Sequence, residues 1–241
     1  MYRVVSMSVL KALLALLLVT CIAGCAFDQP VDPAPDALPS ITDASIGPVT
    51  AEQLFPLQPR RGQFVTAIDR ELRTVAPFSL VRRDDRWTWS VEGLTITHIA
   101  VTGDGDYVIT SEDDLIEGVR VTYDPALIML PRELAAGQTY TSTSDLHVTD
   151  LDTGASRERG RIASRITLEG LAAVTTAAGT FDAHLVRTDR RMNFGVAEAS
   201  VRLDSAYIVG RGLVWERLRQ RLRVLGVAGE ITERLISLSD E

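Results

Sequence analysis

The sequence is poor in three residue types, and each scarcity excludes something. Among 241 residues there are only two cysteines, Cys21 and Cys25, both near the end of an apolar N-terminal run. The remaining chain therefore has no disulfide framework, no Cys-based zinc ribbon and no thiol nucleophile. Lysine occurs once, as Lys11, so every other basic side chain is arginine. Histidine occurs three times, at His98, His147 and His184, with no HExxH spacing. A G-x-S-x-G nucleophile elbow and a Walker lysine are also absent, which removes the serine-hydrolase and P-loop signatures. The net charge of −7 repels phosphate backbones, so no nucleic-acid partner is expected.

What is present begins with a leader. Arg3 and Lys11 precede an almost wholly apolar stretch, Ala12 to Ala23, which has secretory length and is too short to span a bilayer comfortably. Ile22-Ala23-Gly24-Cys25 follows and resembles the bacterial lipobox, an aliphatic residue and two small residues before a modified cysteine. The resemblance implies cleavage between Gly24 and Cys25 and diacylglycerol on the Cys25 thiol. Two or three acyl chains would make a lasting anchor, because each buried methylene adds about 0.8 kcal/mol. The residue after Cys25 is Ala26 rather than Asp, which by the same resemblance points to the outer membrane in a two-membrane organism. Cleavage takes the net charge from −7 to −9, two cations and no anion being lost.

Residues 1–24 are thus expected to be a signal peptide and 25–49 a lipidated linker. That linker is punctuated by Pro30, Pro33, Pro35, Pro39 and Pro48 and lacks apolar periodicity, so it reads as a disordered tether. Residues 50–241, long enough to bury a core, are expected to form one β-rich domain.

Within that domain alternation and turns dominate. Leu94 to Val101 alternates by face, Gly103-Asp104-Gly105-Asp106 reverses the chain, and Tyr107 to Thr110 returns. Val119 to Tyr123 reads as a strand stopped by Asp124-Pro125. Thr139 to Thr149 turns through Asp150–Gly154 into a partner around Arg161 to Leu168, and Ala178-Gly179 joins two further strands. From Leu213 to Leu225 the pattern fits either a strand with an arginine face (Arg217, Arg219, Arg221, Arg223) or a helix, and strand is favoured by the bracketing glycines. Val65, Ile68 and Leu72 are open between the same two states. The expected fold is all-β, mainly antiparallel, either a sandwich or a half-open barrel.

Four segments carry a further resemblance: Phe55-Pro56-Leu57 with Gly62-Gln63-Phe64; Leu130-Pro131 with Ala136 to Tyr140; Ala178 to Asp182; and Gly210-Arg211-Gly212-Leu213-Val214. In this order they resemble the TapB-type family of poorly characterised cell-envelope proteins. Phe64 stands where that family often has Trp, and Tyr207-Ile208-Val209 departs from its usual aromatic-Pro sequence. The resemblance implies an envelope β-fold and brings no reaction with it.

No catalytic residues, metal or cofactor are expected. The three histidines fall on three different strands, and the acidic run Asp104, Asp106, Glu112, Asp113, Asp114, Glu117 reads as a solvated hairpin rim rather than an EF-hand. The arginine face is expected to pair with Glu230 and Glu233 across strands. Two functions are compatible with these residues. One is a non-enzymatic, membrane-anchored module that binds an envelope protein or a glycan. The other is a carrier that holds a lipid or another apolar ligand inside the barrel. A filled interior would favour the module, and an apolar, solvent-connected cavity the carrier.

Overall fold

The alternating pattern is realised as strand over most of the residues described by the computed structural model, 39–68, 72–195, 197–224 and 227–239. The expected signal peptide, the cleavage site at Gly24, the lipid-bearing Cys25 and most of the tether lie outside the described residues. A short pair, β1 (Ile41–Asp43) and β2 (Val49–Thr50), leads into one helical turn, α1 (Ala51–Leu54). There follow β3 (Arg60–Ile68), β4 (Leu72–Arg83), β5 (Arg86–Val91), β6 (Thr95–Val101), β7 (Tyr107–Asp114), β8 (Val119–Leu130), β9 (Glu133–Leu134) and β10 (Thr139–Asp150). The chain ends with β11 (Ser156–Thr176), β12 (Gly179–Asn193), β13 (Ala197–Ile208), β14 (Gly212–Val224) and β15 (Val227–Leu238).

The strands make one antiparallel sheet in the order β11-β10-β8-β7-β6-β5-β4-β3-β15-β14-β13-β12. β12 then pairs back onto β11 from Arg161 opposite Asn193 to Thr176 opposite Gly179. The sheet therefore closes on itself as a twelve-stranded barrel. The all-β antiparallel expectation holds, in the barrel form. Closure goes further than the half-open form expected, because the last strand, β15, pairs with β3, Arg234 opposite Ile68 and Leu238 opposite Phe64, and so joins the two ends of a run of consecutive hairpins. Closure also removes the free strand edges that an open sheet would offer.

Two segments differ from the sequence reading. The strand from Val119 does not stop at Asp124-Pro125 but runs on to Leu130. Thr122 lies opposite Ser111 and Leu127 opposite Ile109, so the intervening residues form a bulge. Pro125, which has no N–H to give, sits in that bulge and breaks no ladder bond. Likewise Arg161–Leu168 and Ala172–Thr176 belong to one 21-residue strand, β11, bent at Gly170 (φ 140°) where its register to β12 shifts. The two segments left open resolve as strands: Leu213 lies in β14, Val65 and Ile68 in β3, and Leu72 in β4.

The stretch expected to be linker pairs once with the barrel and once with β9, which forms a small separate sheet with it. Ile41 pairs with Ala172 and Asp43 with Leu171, and Val49 pairs with Leu134 and is buried. Thr50 then caps α1 in a capping box, its hydroxyl accepting from Gln53 N at 3.1 Å while Gln53 Oε1 accepts from Thr50 N at 2.8 Å.

α1 closes one end of the barrel. Gln53 O accepts from Gly210 N at 2.8 Å, and Phe55 turns inward against Trp89 (5.5 Å, edge-on) and Tyr207 (6.4 Å). Phe64 stacks on Phe78 at 4.5 Å, and both meet Trp89. Aromatic pairs in such geometries contribute about 0.5–1.5 kcal/mol beyond their buried area. Two glycines of the family-like segments make this plug possible. Gly62 lies opposite Phe78, whose ring occupies the place of a Cβ. Gly212, at φ 97°, lets the Arg60 guanidinium press against the backbone, where it donates to Arg211 O and lies 4.7 Å over the Phe55 ring.

Candidate functional site

Beyond the plug the barrel is not filled. A cavity of about 330 Å3 runs from Phe55 and Trp89 to the β7–β8 turn at Ile116 and Glu117. Strand alternation explains its lining, since every second residue of each wall faces inward. β6 and β8 contribute Ile99 and Val121, β10 contributes Leu146 and Val148, and β13 contributes Val201 and Leu203. The wall where β7, β8, β10 and β11 meet is a compact apolar cluster of Ile109, Val119, Leu127, Leu146, Val148 and Ile162.

Charged groups face the same space. Glu112 from β7 and Tyr123 from β8 meet Arg190 from β12. The Tyr123 hydroxyl donates to Glu112 Oε2 at 2.6 Å, and Arg190 Nη1 lies 3.6 Å from that oxygen. Arg190 Nε is buried and has no hydrogen-bond partner. Deeper in, the Glu216 carboxylate accepts from Ser205 Oγ at 2.9 Å, and Arg234 also lines the cavity. Burial pushes the Glu216 carboxyl above its ordinary value, while Arg234, the Ser205 bond and Arg190 pull it down. Glu216 is far from bulk water yet only half-buried, because the space beside it is the cavity itself. At the turn, burial and then the neighbouring Asp114 push the Glu117 carboxyl up to about 7, with Arg157 opposing.

These residues separate from the ones the sequence had singled out. The acidic run is not one solvated rim. Glu112, Asp114 and Glu117 face the cavity, and Asp113 is buried in a two-bond pair with Arg120 (2.6 and 2.7 Å). The reason is the bulge where β7 pairs with β8, which changes the alternation of inward positions between Ile109 and Glu112. The histidines stand on β6, β10 and β12, as expected, and make separate local contacts. His98 Nδ1 lies 3.4 Å from Thr88 Oγ1 and His147 Nε2 2.8 Å from Ser156 Oγ, while His184 Nδ1 is buried without a partner. Among the described residues no group of three His, Cys, Asp or Glu side chains is placed to hold a metal. Of the expected arginine face, Arg219 and Arg217 reach Glu233 at 3.2 and 3.5 Å, while the side chain of Glu230 lies outside the described residues. Arg190, Arg234 and Glu216 were not picked out from the sequence. Their signal was a charged residue on the inward register of an otherwise apolar face, which is legible only once register is known.

The outer wall is charged. Arg161 pairs with Asp145 (3.1 Å) and Arg202 with Asp189 (2.8 Å), and Arg187 reaches Glu169 (3.0 Å) as well as Asp204 (2.9 Å), which is itself buried. A wall with such residues at mid-strand is unlike the apolar outer band of a membrane-spanning barrel. No helix among the described residues is long and apolar enough to cross a membrane.

The chain is thus a closed, antiparallel β-barrel with a plugged end and an interior of mixed polarity. No family model matches it, and no curated protein matches it. Among solved structures it is similar to the hypothetical lipoprotein YmcC from Escherichia coli K12, with 9% identity over 76% of this chain and 86% of that one, at a TM-score of 0.43. It is also similar to a protein from Parabacteroides distasonis ATCC 8503 provisionally designated a lipoprotein, with 13% identity over 76% of this chain and 95% of that one, at a TM-score of 0.39.

Proposed function

We propose that this protein is a lipid-anchored envelope carrier whose barrel holds one small amphipathic molecule. The observation that carries the reading is the interior cavity of about 330 Å3, with an apolar wall on one side and Arg190, Glu112, Glu216 and Arg234 facing it. That volume is at the small end of ligand pockets, which combine apolar lining with a few placed polar groups. Arg190 Nε needs an acceptor and Glu216 has one hydroxyl partner, so the fitting ligand has an apolar body and a head bearing both hydrogen-bond acceptors and donors. Closure of the barrel removes free strand edges, one of the two surfaces the module reading would use, and leaves it the outer sheet faces. The anchor is Cys25, read from the lipobox resemblance, and the barrel is a binding protein rather than a catalyst.

The test uses a fluorescent amphipathic probe, anilinonaphthalene sulfonate, titrated into the folded protein. Saturable binding at one site is expected, and Leu203→Trp, which fills the cavity from β13, should abolish it while leaving the far-ultraviolet circular dichroism unchanged. Absence of saturable binding, or binding unaffected by Leu203→Trp and by a second filling variant, Leu218→Trp, sinks the carrier reading. The anchor is tested separately: Cys25→Ala should abolish lipid labelling and release the protein from membranes.

A further inference from the structure

On the outside of the β11–β14 wall, arginines outnumber the acids that pair with them. The outward positions are those alternating with Arg190, Val201 and Gln220, and they form rows across the strands. In one row Arg191 and Arg221 flank Ser200 from either side. In the next row outward Arg223 lies opposite Glu198, and in the row on the other side Arg165 lies opposite Asp189. Asp145, Asp189 and Glu233 are taken by Arg161, Arg202 and Arg219. Arg165, Arg191, Arg221 and Arg223 are exposed and have no carboxylate within ion-pair distance among the described residues. Neighbouring strands lie about 4.8 Å apart and alternate residues about 7 Å apart. Arg191, Arg221 and Arg223 are therefore rooted within roughly 12 Å of one another on this face. This stands on a chain whose net charge is −7.

We propose that this basic wall docks the barrel side-on against an anionic phospholipid surface. The inference rests on the reading of Cys25 as lipid-bearing, which puts a bilayer within reach. Fifteen residues separate Cys25 from Ile41, the start of β1. Fully extended they span about 55 Å, enough for any side of the barrel to turn toward the membrane. Guanidiniums suit phosphate headgroups because they offer several donors in one plane. The charge surplus then selects which wall faces the membrane and holds the β7–β8 end of the cavity close to the headgroups.

The test measures co-sedimentation with vesicles, using the chain from residue 25 onward with Cys25→Ser, so every described residue is present and no acyl chain contributes. Binding to phosphatidylglycerol vesicles in low salt, loss in 0.5 M salt, and little binding to phosphatidylcholine are expected. A basic side chain near an anionic surface is worth about a five-fold factor in affinity, so the triple variant R191S/R221S/R223S should bind about 100-fold more weakly. R82S/R83S, exposed on the far side of the barrel, should bind as the parent does. Equal binding to both lipids, a triple variant that binds like the parent while melting at the same temperature, or tighter binding to soluble polygalacturonate than to phosphatidylglycerol each overturns the proposal. Because this protein carries no acyl chain, such a result would leave the Cys25 anchor standing, and failure of Cys25→Ala to release the protein from cells would not touch the wall.

Discussion

Arg190→Met isolates the ion pair that crosses the barrel. The substitution keeps much of the aliphatic stem and removes the guanidinium, leaving Glu112 facing the cavity with the Tyr123 hydroxyl as its remaining partner. At 3.6 Å, with an effective dielectric constant near 20, the direct attraction is about 4–5 kcal/mol before desolvation is subtracted. The side chains of Arg190 and Glu112 are 14% and 27% exposed, so water in the cavity screens part of this. Breaking one side of such a pair should cost about 2–4 kcal/mol, somewhat under the range for fully buried pairs. In a barrel of about 200 residues that corresponds to a fall in melting temperature of roughly 5–15 °C.

The second half of the cycle supplies the discrimination. Glu112→Gln keeps an acceptor for Tyr123 and leaves Arg190 unpaired, so it should also destabilise. The double variant removes both charges and should return to within about 1 kcal/mol of the wild type. Urea unfolding of all four proteins at pH 7 gives a coupling energy, the two single losses less that of the double variant, expected at about 2–5 kcal/mol. If Arg190→Met costs less than about 0.5 kcal/mol, or if the single effects simply add, the pair is solvated and the enclosed, polar interior described above is wrong.

Three further outcomes follow from the same geometry. Phe55→Ala removes the ring between Trp89, Tyr207 and Arg60 and should cost about 3–5 kcal/mol in denaturant unfolding, whereas a loss under 1 kcal/mol would mean the plug is not packed. Glu117 has a carboxyl raised to about 7 from 4.5, so the folded chain holds this proton more tightly than the unfolded chain. Its contribution to stability is full below about 4.5 and is lost as pH rises through about 7. Glu117→Gln should therefore flatten the fall in melting temperature between pH 4.5 and 7.5, and an identical slope in the variant would refute the enclosure of that group. Deleting residues 39–49 in addition to 1–38 removes the β1 pairing and buried Val49, which should lower the melting temperature by several degrees relative to a chain starting at residue 39. Equal melting of the two would show that β1 and β2 add nothing.

Strand content was legible in this sequence because both of its causes are local. Period-two alternation runs through Leu94 to Val101 and Thr139 to Thr149, and turn chemistry marks Gly103–Asp106 and Asp150–Gly154. Barrel closure was not legible, since it depends on β15 pairing with β3, Arg234 opposite Ile68 and Leu238 opposite Phe64, a relation between segments about 170 residues apart that no window of residues expresses. The polar interior escaped for a related reason. Glu112 and Glu117 look like members of one exposed acidic run, and Arg190 looks like a neighbour of Arg187 and Arg191. Facing is decided by register, and register is shifted by bulges, at Gly170 in β11 and at Thr110 in β7, where His98 and Ile99 of β6 lie opposite Ser111 and Ile109. A bulge costs one unpaired residue in the ladder and reverses the side of every residue beyond it on that strand. The same device that turned Glu112 toward the cavity therefore also decides which carboxylates can meet Arg190, so the site is a consequence of local irregularities in an otherwise regular sheet rather than of any motif.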